Sequence, residues 1–274
     1  MNGFADKTVL ITGASSGIGE ACARKFVARG ARVVVAARRV EPLERLAEEL
    51  GRDVAHAVPT DVSDRSANER LVAEATKRFG SLDVLVNNAG CNWRGAFEEL
   101  PMDSVLQILD VNLRGPLMLT KLALPIMRSQ GSGTIVNVAS LAGRFPLDHE
   151  ATYSATKFGL RVFSFAIAEE LRGTNVRVAV VSPGPVDTGF ITDESVIDSV
   201  PDLVFSQPMS TADEIADLVL ASAADGARER TKPAFSAKLA TMGYLFPGLR
   251  RSLIPVLERK GRAAKKKYLA RHSR

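Results

Sequence analysis

Thr8-Val9-Leu10-Ile11-Thr12-Gly13-Ala14-Ser15-Ser16-Gly17-Ile18-Gly19 is the stretch that decides how this chain folds. Its first five residues form a short apolar run rich in β-branched side chains, as in a strand covered on both faces. The residues that follow are nearly all small, and a helical pattern continues over 22–29 until Gly30 ends it. A strand that turns through small residues straight into a helix gathers free backbone N–H groups at one point. Such a point suits an anion, a pyrophosphate among them. Glycine also makes plain turns, so the placement between strand and helix carries the reading, not the glycines alone.

Outward from this stretch, apolar runs alternate with helical periodicity. Strands are expected over 32–36, 54–58, 82–86, 134–139 and 176–181, with helices over 41–50, 66–79, 103–128 and 152–172. The helix over 41–50 has Pro42 near its first position and Gly51 just past its end. The one over 103–128 contains Pro116 and Pro125. This order specifies an α/β fold with one doubly wound parallel sheet flanked by helices, and ligands at the carboxyl ends of its strands. A last strand is expected over 232–236. Residues 1–236 are read as one domain, and 237–274 as a C-terminal extension, apolar and then strongly basic.

Bulk composition narrows the function classes. At 46% hydrophobic and 24% charged, the 274 residues suit a globular domain with a sizeable core. Cys22 and Cys91 cannot build a disulfide framework, which points to a reducing, cytoplasmic setting. His56, His149 and His272 are scattered without ligand spacing, so no metal is expected. Neither a secretory leader nor a stretch of ~20 apolar residues is expected. The net charge of +5 is uneven, because residues 231–274 hold twelve Lys or Arg against one acidic residue, Glu258. The rest of the chain is therefore net acidic, which argues against nucleic-acid binding by the body.

Two further patterns carry chemistry. Tyr153-Ser154-Ala155-Thr156-Lys157 lies in a helical pattern, and a spacing of four stacks Tyr153 and Lys157 on one face. A phenol titrates near ~10, and a neighbouring ammonium is expected to lower that value, giving a usable general acid and base. Taken alone, the same spacing describes many surface pairs. The second pattern closes the strand over 32–36. Ala37-Arg38-Arg39 stands where an acidic residue would accept bonds from ribose hydroxyls, and a guanidinium fork suits a 2′-phosphate instead.

Together these residues resemble the short-chain dehydrogenase/reductase family over about residues 7–190. The glycine spacing T-G-x-x-x-G-x-G, the run Asn87-Asn88-Ala89-Gly90, Asn112 within Val111-Asn112-Leu113-Arg114-Gly115, and Ser140 upstream of Tyr153 all match its motifs. The resemblance implies a Rossmann-type fold and an NADP(H)-dependent enzyme with Asn112, Ser140, Tyr153 and Lys157 as its catalytic set. Ser140 would fix the substrate oxygen, Tyr153 would exchange its proton, and Asn112 would hold a water in a relay to Lys157. By the same resemblance Gly13, Ser15, Ser16, Gly17, Ile18 and Gly19 would cradle the cofactor phosphates, and Arg38 and Arg39 the 2′-phosphate. Asp61 and Val62 would flank the adenine. Asn88, Ala89 and Gly90 would line the cleft, and Tyr153, Lys157, Pro183, Gly184, Val186 and Thr188 would meet the nicotinamide half. Asn87 reads as a tie between strands.

The substrate is expected to be a largely apolar small molecule carrying a carbonyl or an alcohol. A 3-oxoacyl thioester is the alternative, and a non-catalytic nucleotide sensor or scaffold is the alternative from another class. Asn92, Trp93, Arg94, residues 141–145, His149 and residues 185–208 are the expected pocket, with Arg94 and Arg144 read chiefly as surface charges. Family members pair as homodimers or homotetramers through the helices over 103–128 and 152–172. The second of these carries more apolar surface than one stripe needs, in Phe158, Leu160, Phe163, Phe165 and Ile167.

The tail has two readings. Its apolar residues, Leu239, Met242, Tyr244, Leu245, Phe246, Leu249, Leu253, Ile254, Val256 and Leu257, are expected to cover the pocket or a neighbouring subunit, with the basic end solvated and partly disordered. The second reading joins them with Arg250, Arg251, Arg259, Lys260, Arg262, Lys265, Lys266 and Lys267 in a weak peripheral contact with an anionic membrane. Pro247 and Pro255 are expected to break any long helix here.

Overall fold

A computed structural model describes residues 3–194 and 196–272. Nine strands and eleven α-helices are described: β1 (Thr8–Thr12), α1 (Gly17–Val27), β2 (Arg32–Ala37), α2 (Val40–Leu50), β3 (Ala55–Pro59), α3 (Arg65–Phe79), β4 (Val84–Asn87), α4 (Met102–Leu109), α5 (Gly115–Ser129), β5 (Gly133–Val138), α6 (Ala151–Glu170), β6 (Val176–Pro183), β7 (Val186–Asp187), α7 (Gly189–Thr192), α8 (Asp202–Phe205), β8 (Ser210–Thr211), α9 (Ala212–Asp225), β9 (Glu229–Lys232), α10 (Ala234–Leu245) and α11 (Pro247–His272). Strands β1 to β6 and helices α1 to α6 fall within about two residues of their expected positions.

Seven strands form one parallel sheet in the order β3-β2-β1-β4-β5-β6-β9, and β7 and β8 pair separately. The order reverses between β1 and β4, and there the carboxyl ends open a crevice for a ligand. Successive side chains of each strand enter opposite layers. Val9, Ile11, Val33 and Val35 pack with Phe26, Leu43 and Val219 from α1, α2 and α9. Leu10, Val34 and Leu85 pack with Leu71, Leu119 and Met127 from α3 and α5. This two-sided burial is why the strands read as unbroken apolar runs.

Three expectations need correction. The helix expected over 103–128 is interrupted by a π turn at residues 110–114, which carries Asn112. An extra residue in a helical turn re-aims the side chains around it. The last strand is Glu229–Lys232, not 232–236. Proline has no N–H to add to a ladder, so the strand stops before Pro233 and α10 starts there. Finally, Pro247 and Pro255 do not break the tail, since α11 runs Pro247–His272 with Pro255 inside it. Pro247 sits at the first helical position, where a missing N–H costs nothing. Pro255 forfeits one hydrogen bond, and the helix is held instead by its contacts.

Those contacts fall on the segment around α8. A Cβ at Gly261 would lie 1.8 Å from the Asp202 carbonyl oxygen, so only glycine permits this approach. Lys265 Nζ donates to the carbonyls of Val200 at 2.9 Å and Asp198 at 3.0 Å. Arg262 pairs with Asp202 at 2.9 Å, and Tyr268 Oη donates to Asp187 Oδ1 at 3.0 Å. The end of the chain expected to be partly disordered is thus helical to His272 and anchored over the carboxyl side of the sheet. The domain boundary expected after residue 236 falls inside α10.

Candidate active site

The first βα turn builds one end of the site. A Cβ at Gly13 would lie 2.8 Å from Ala89 Cα, and Gly13 has φ +67°, so the turn needs glycine on both counts. Asn88 locks this approach, its Nδ2 donating to the carbonyls of Thr12 at 3.0 Å and Gly13 at 3.2 Å. Thr12 Oγ1 in turn accepts from the backbone N–H groups of Asn88 and Ala89, both at 3.1 Å. Gly19 does not line the cleft. It lies beneath the turn, where a Cβ would come within 2.3 Å of the Gly13 carbonyl oxygen. Asn87 instead ties the sheet to α6, through Asn137 at 2.8 Å and on to Ser164.

At the end of β2, Arg38 and Arg39 are exposed and follow the buried Ala37. Arg39 reaches back over the turn, donating to Ser16 Oγ at 2.9 Å and Ser15 Oγ at 3.2 Å. Asp61 stands across the cleft with its carboxylate accepting from Ser63 N and Oγ.

The other end of the site lies between β5 and α6. Ser140 follows β5 in extended geometry, and its Oγ accepts from Ala142 N at 3.1 Å. Tyr153 and Lys157 are buried on one face of α6, with Lys157 Nζ 5.7 Å from the Tyr153 ring centre. Lys157 donates to the Val138 carbonyl at 2.9 Å. Burial pushes the Lys157 ammonium down to about 8. Tyr153 does not follow the expectation of a lowered phenol. Burial, and after it the Glu150 carboxylate, push the phenol well above its ordinary value, while a hydrogen bond with Ser140 pulls the other way. The folded chain by itself therefore keeps Tyr153 protonated.

Asn112 is buried and does not line the cleft. Its Oδ1 accepts from Cys91 N and its Nδ2 donates to Cys91 O, both at 2.8 Å. Both ends of this side chain thus shape the segment that leaves Gly90.

Arg94 and Arg144 are not surface charges. Arg94 Nε lies 2.7 Å from Glu150 Oε1, and the two side chains are only 5% and 3% exposed. Arg94 also stacks over Phe190, whose ring lies 5.9 Å from that of Tyr153. Arg144 pairs with Glu229, as does Arg161, and Ser182 donates to the same carboxylate at 2.7 Å. Glu150 and Glu229 escaped the sequence reading because nothing local distinguishes them from solvated acids. Trp93 and His149 are exposed and do not line the cavity. Trp93 Nε1 donates to Gln107 at 3.0 Å.

One cavity of about 900 Å³ joins these parts. Along it run Gly13, Ser15, Ser16, Gly17, Ile18, Arg38, Arg39, Asp61, Val62, Asn88, Ala89 and Gly90, then Ser140, Tyr153, Lys157, Pro183, Gly184, Val186 and Thr188. Beyond Tyr153 the walls become apolar, with Phe190, Val200 and Leu203 facing Leu239 and Leu257 from α10 and α11. The tail thus contributes wall residues that motif spacing had no means of placing. Among the described residues no three His, Cys, Asp or Glu side chains gather as metal ligands. Cys22 and Cys91 are free thiols.

Comparison with known proteins adds independent findings. The profile of the family described as short chain dehydrogenase matches residues 7–196. An uncharacterized oxidoreductase of Staphylococcus aureus strain USA300 is 38% identical over 188 residues, which cover 69% of this chain and 81% of that one. One from Staphylococcus saprophyticus is 39% identical over 190 residues, 69% of this chain and 77% of that one. The crystal structure of a short-chain dehydrogenase from Streptomyces avermitilis superposes with a TM-score of 0.77 at 31% identity, covering 91% of this chain and 95% of that chain.

Proposed function

This chain belongs to the short-chain dehydrogenase family, and from that premise we propose an NADP(H)-dependent enzyme that interconverts a carbonyl and an alcohol on a largely apolar small molecule. Oxidoreductase chemistry and a dinucleotide on a Rossmann sheet follow from membership itself; the phosphate preference and the substrate class are the finer reading. One observation carries it. A single cavity runs from the paired guanidiniums Arg38 and Arg39, past the glycine turn, to Ser140, Tyr153 and Lys157, and then into apolar walls.

The residues fit the cofactor. Gly13, where a Cβ would clash with Ala89, lets the turn close against the end of β4 and border the cavity, whose volume is at the upper end of the usual ~300–1,000 Å³ for ligand sites. Ser15, Ser16 and the start of α1 would hold the phosphates. With alanine at position 37 and no carboxylate to repel it, a 2′-phosphate would meet Arg38 and Arg39. When bound, the nicotinamide supplies or takes up the hydride. Ser140 would hold the substrate oxygen. Tyr153, kept protonated by burial, would donate its proton to that oxygen in reduction and recover it in oxidation. Lys157, brought to about 8 by burial, is poised to exchange protons near neutrality. The apolar walls from α8, α10 and α11 would exclude water from the substrate. Two free thiols fit work in a reducing compartment such as the cytosol.

The test is NADPH consumption across a panel of apolar ketones and aldehydes, run beside NADH and beside Tyr153→Phe. Turnover is expected with NADPH, and its near-abolition in the phenylalanine variant while NADPH still binds. Equal or better turnover with NADH, or a fully active Tyr153→Phe, would overturn this function.

A further inference from the structure

Helix α10 and its turn into α11 present Phe235, Met242, Tyr244, Leu245 and Phe246 to solvent, with Phe235 77%, Leu245 61% and Phe246 53% exposed. Scattered apolar residues on a surface need no explanation, but a contiguous group does. Met242, Leu245, Phe246, Pro247 and Gly248 together line a shallow depression at that turn. The helix that follows exposes Arg251, Arg259, Lys260, Lys266 and Lys267. Apolar turn and basic helix are thus adjacent, in a stretch whose twelve Lys or Arg face one acidic residue.

Two occupants fit an apolar patch, a second copy of this chain or a lipid surface. Charge separates them. A two-fold contact sets the same patch against itself, which here would bring two strongly basic helices together. An anionic bilayer carries the opposite sign, and each Lys or Arg near it favours the bound state by roughly fivefold. Among the described residues no helix is long and apolar enough to cross a membrane, so the contact is one of lying on the surface. Phe235 and Lys260 are exposed and also line the large cavity, so its mouth opens beside the patch.

We propose that the α10–α11 end of this protein docks on an anionic lipid surface, with Leu245 and Phe246 inserted at headgroup depth and the basic face of α11 lying over the lipid phosphates. The docking rests on the surface alone and is independent of which substrate the cavity takes.

The experiment is flotation of the full chain with vesicles of phosphatidylcholine alone and of phosphatidylcholine with phosphatidylglycerol, over a range of salt. Binding is expected on the anionic vesicles only, falling about tenfold or more as salt rises from tens of millimolar to several hundred. Leu245→Asp with Phe246→Asp is expected to lose about tenfold in partition, as is Arg251→Glu with Arg259→Glu and Lys267→Glu. Circular dichroism and thermal melting check that each variant is folded. The proposal is overturned if the chain stays unbound on anionic vesicles at low salt. It is equally overturned if the aspartate pair leaves binding unchanged, since adsorption is then by charge alone. Should light scattering show an oligomer that the aspartate pair dissolves, the patch belongs to a second copy.

Discussion

Arg94 and Glu150 form a buried ion pair, Nε to Oε1 at 2.7 Å, directly beside the phenol of Tyr153. The carboxylate raises the Tyr153 pKa and the guanidinium lowers it, so the pair trims the field at the proton donor. Glu150→Gln removes the raising charge and leaves the lowering one. The alkaline rise in alcohol oxidation, which needs the phenolate, is therefore expected at lower pH in this variant. A pH–rate profile checks it, and a shift to higher pH would contradict the assignment. Arg94→Ala leaves Glu150 buried without its cation, and about 3–5 kcal/mol of stability should be lost in urea unfolding.

Lys157 gives a stability signature. Burial holds its folded value at about 8, below the ordinary lysine value of about 10.4. Between those values the unfolded chain binds more protons, so stability rises with pH, by at most about 1.4 kcal/mol per pH unit. Tyr153, whose folded value is raised, opposes this only above its ordinary ~10. Burial also raises the thiols of Cys22 and Cys91, which oppose it from their ordinary ~8.5 upward. The lysine is therefore read from the difference between two proteins: from pH 8 to 10 the urea midpoint of Lys157→Met is expected to gain less, or fall more, than that of the unsubstituted chain. Parallel midpoints in the two would show that Lys157 keeps its ordinary value.

Cofactor preference should yield to two substitutions at the end of β2. Arg38→Ala with Ala37→Asp removes a cation and supplies a carboxylate for ribose hydroxyls. NADPH use should fall by about one to two orders of magnitude while NADH use is spared. Steady-state kinetics with both cofactors decides it, and undiminished NADPH use would move the phosphate contact elsewhere.

Assembly is expected through α4 to α6. Leu106, Leu109 and Val162 are exposed there, although the aromatic surplus on α6 is partly absorbed within the chain. Phe158 packs on Tyr244, and Phe165 lies under the guanidiniums of Arg161 and Arg228. A homodimer or homotetramer should appear by light scattering at micromolar concentration, and Val162→Glu should shift it toward the monomer. A monomeric mass for the unsubstituted chain would rule this surface out.

Several parts of the site were legible in the sequence because their geometry is local. A strand entering a helix through Gly13 and Gly17 states its own turn, and a spacing of four states that Tyr153 and Lys157 share a face. Ala37 and Arg38 could be judged because a strand end in this topology has a fixed place at the crevice. The boundary of β9 was missed because Glu229 looks like a loop acid until Arg144, Arg161 and Ser182 are seen around it.

Local periodicity and turn chemistry determined, in the sequence alone, a doubly wound sheet, a glycine-built turn from strand to helix and a tyrosine–lysine pair. Tertiary structure alone decided the rest. Arg94 and Glu150 lie 56 positions apart, and no local rule says that they meet. The raised Tyr153 phenol follows from burial and then from the Glu150 carboxylate of that pair, both properties of the packed interior and not of the tyrosine's own spacing on its helix. Helix α11 continues through Pro255 because Gly261, Lys265 and Tyr268 dock it on the segment around α8. The strength of a helix in a folded protein comes mainly from what it packs against, so a rule written for isolated chain fails where tertiary contact outweighs one lost hydrogen bond.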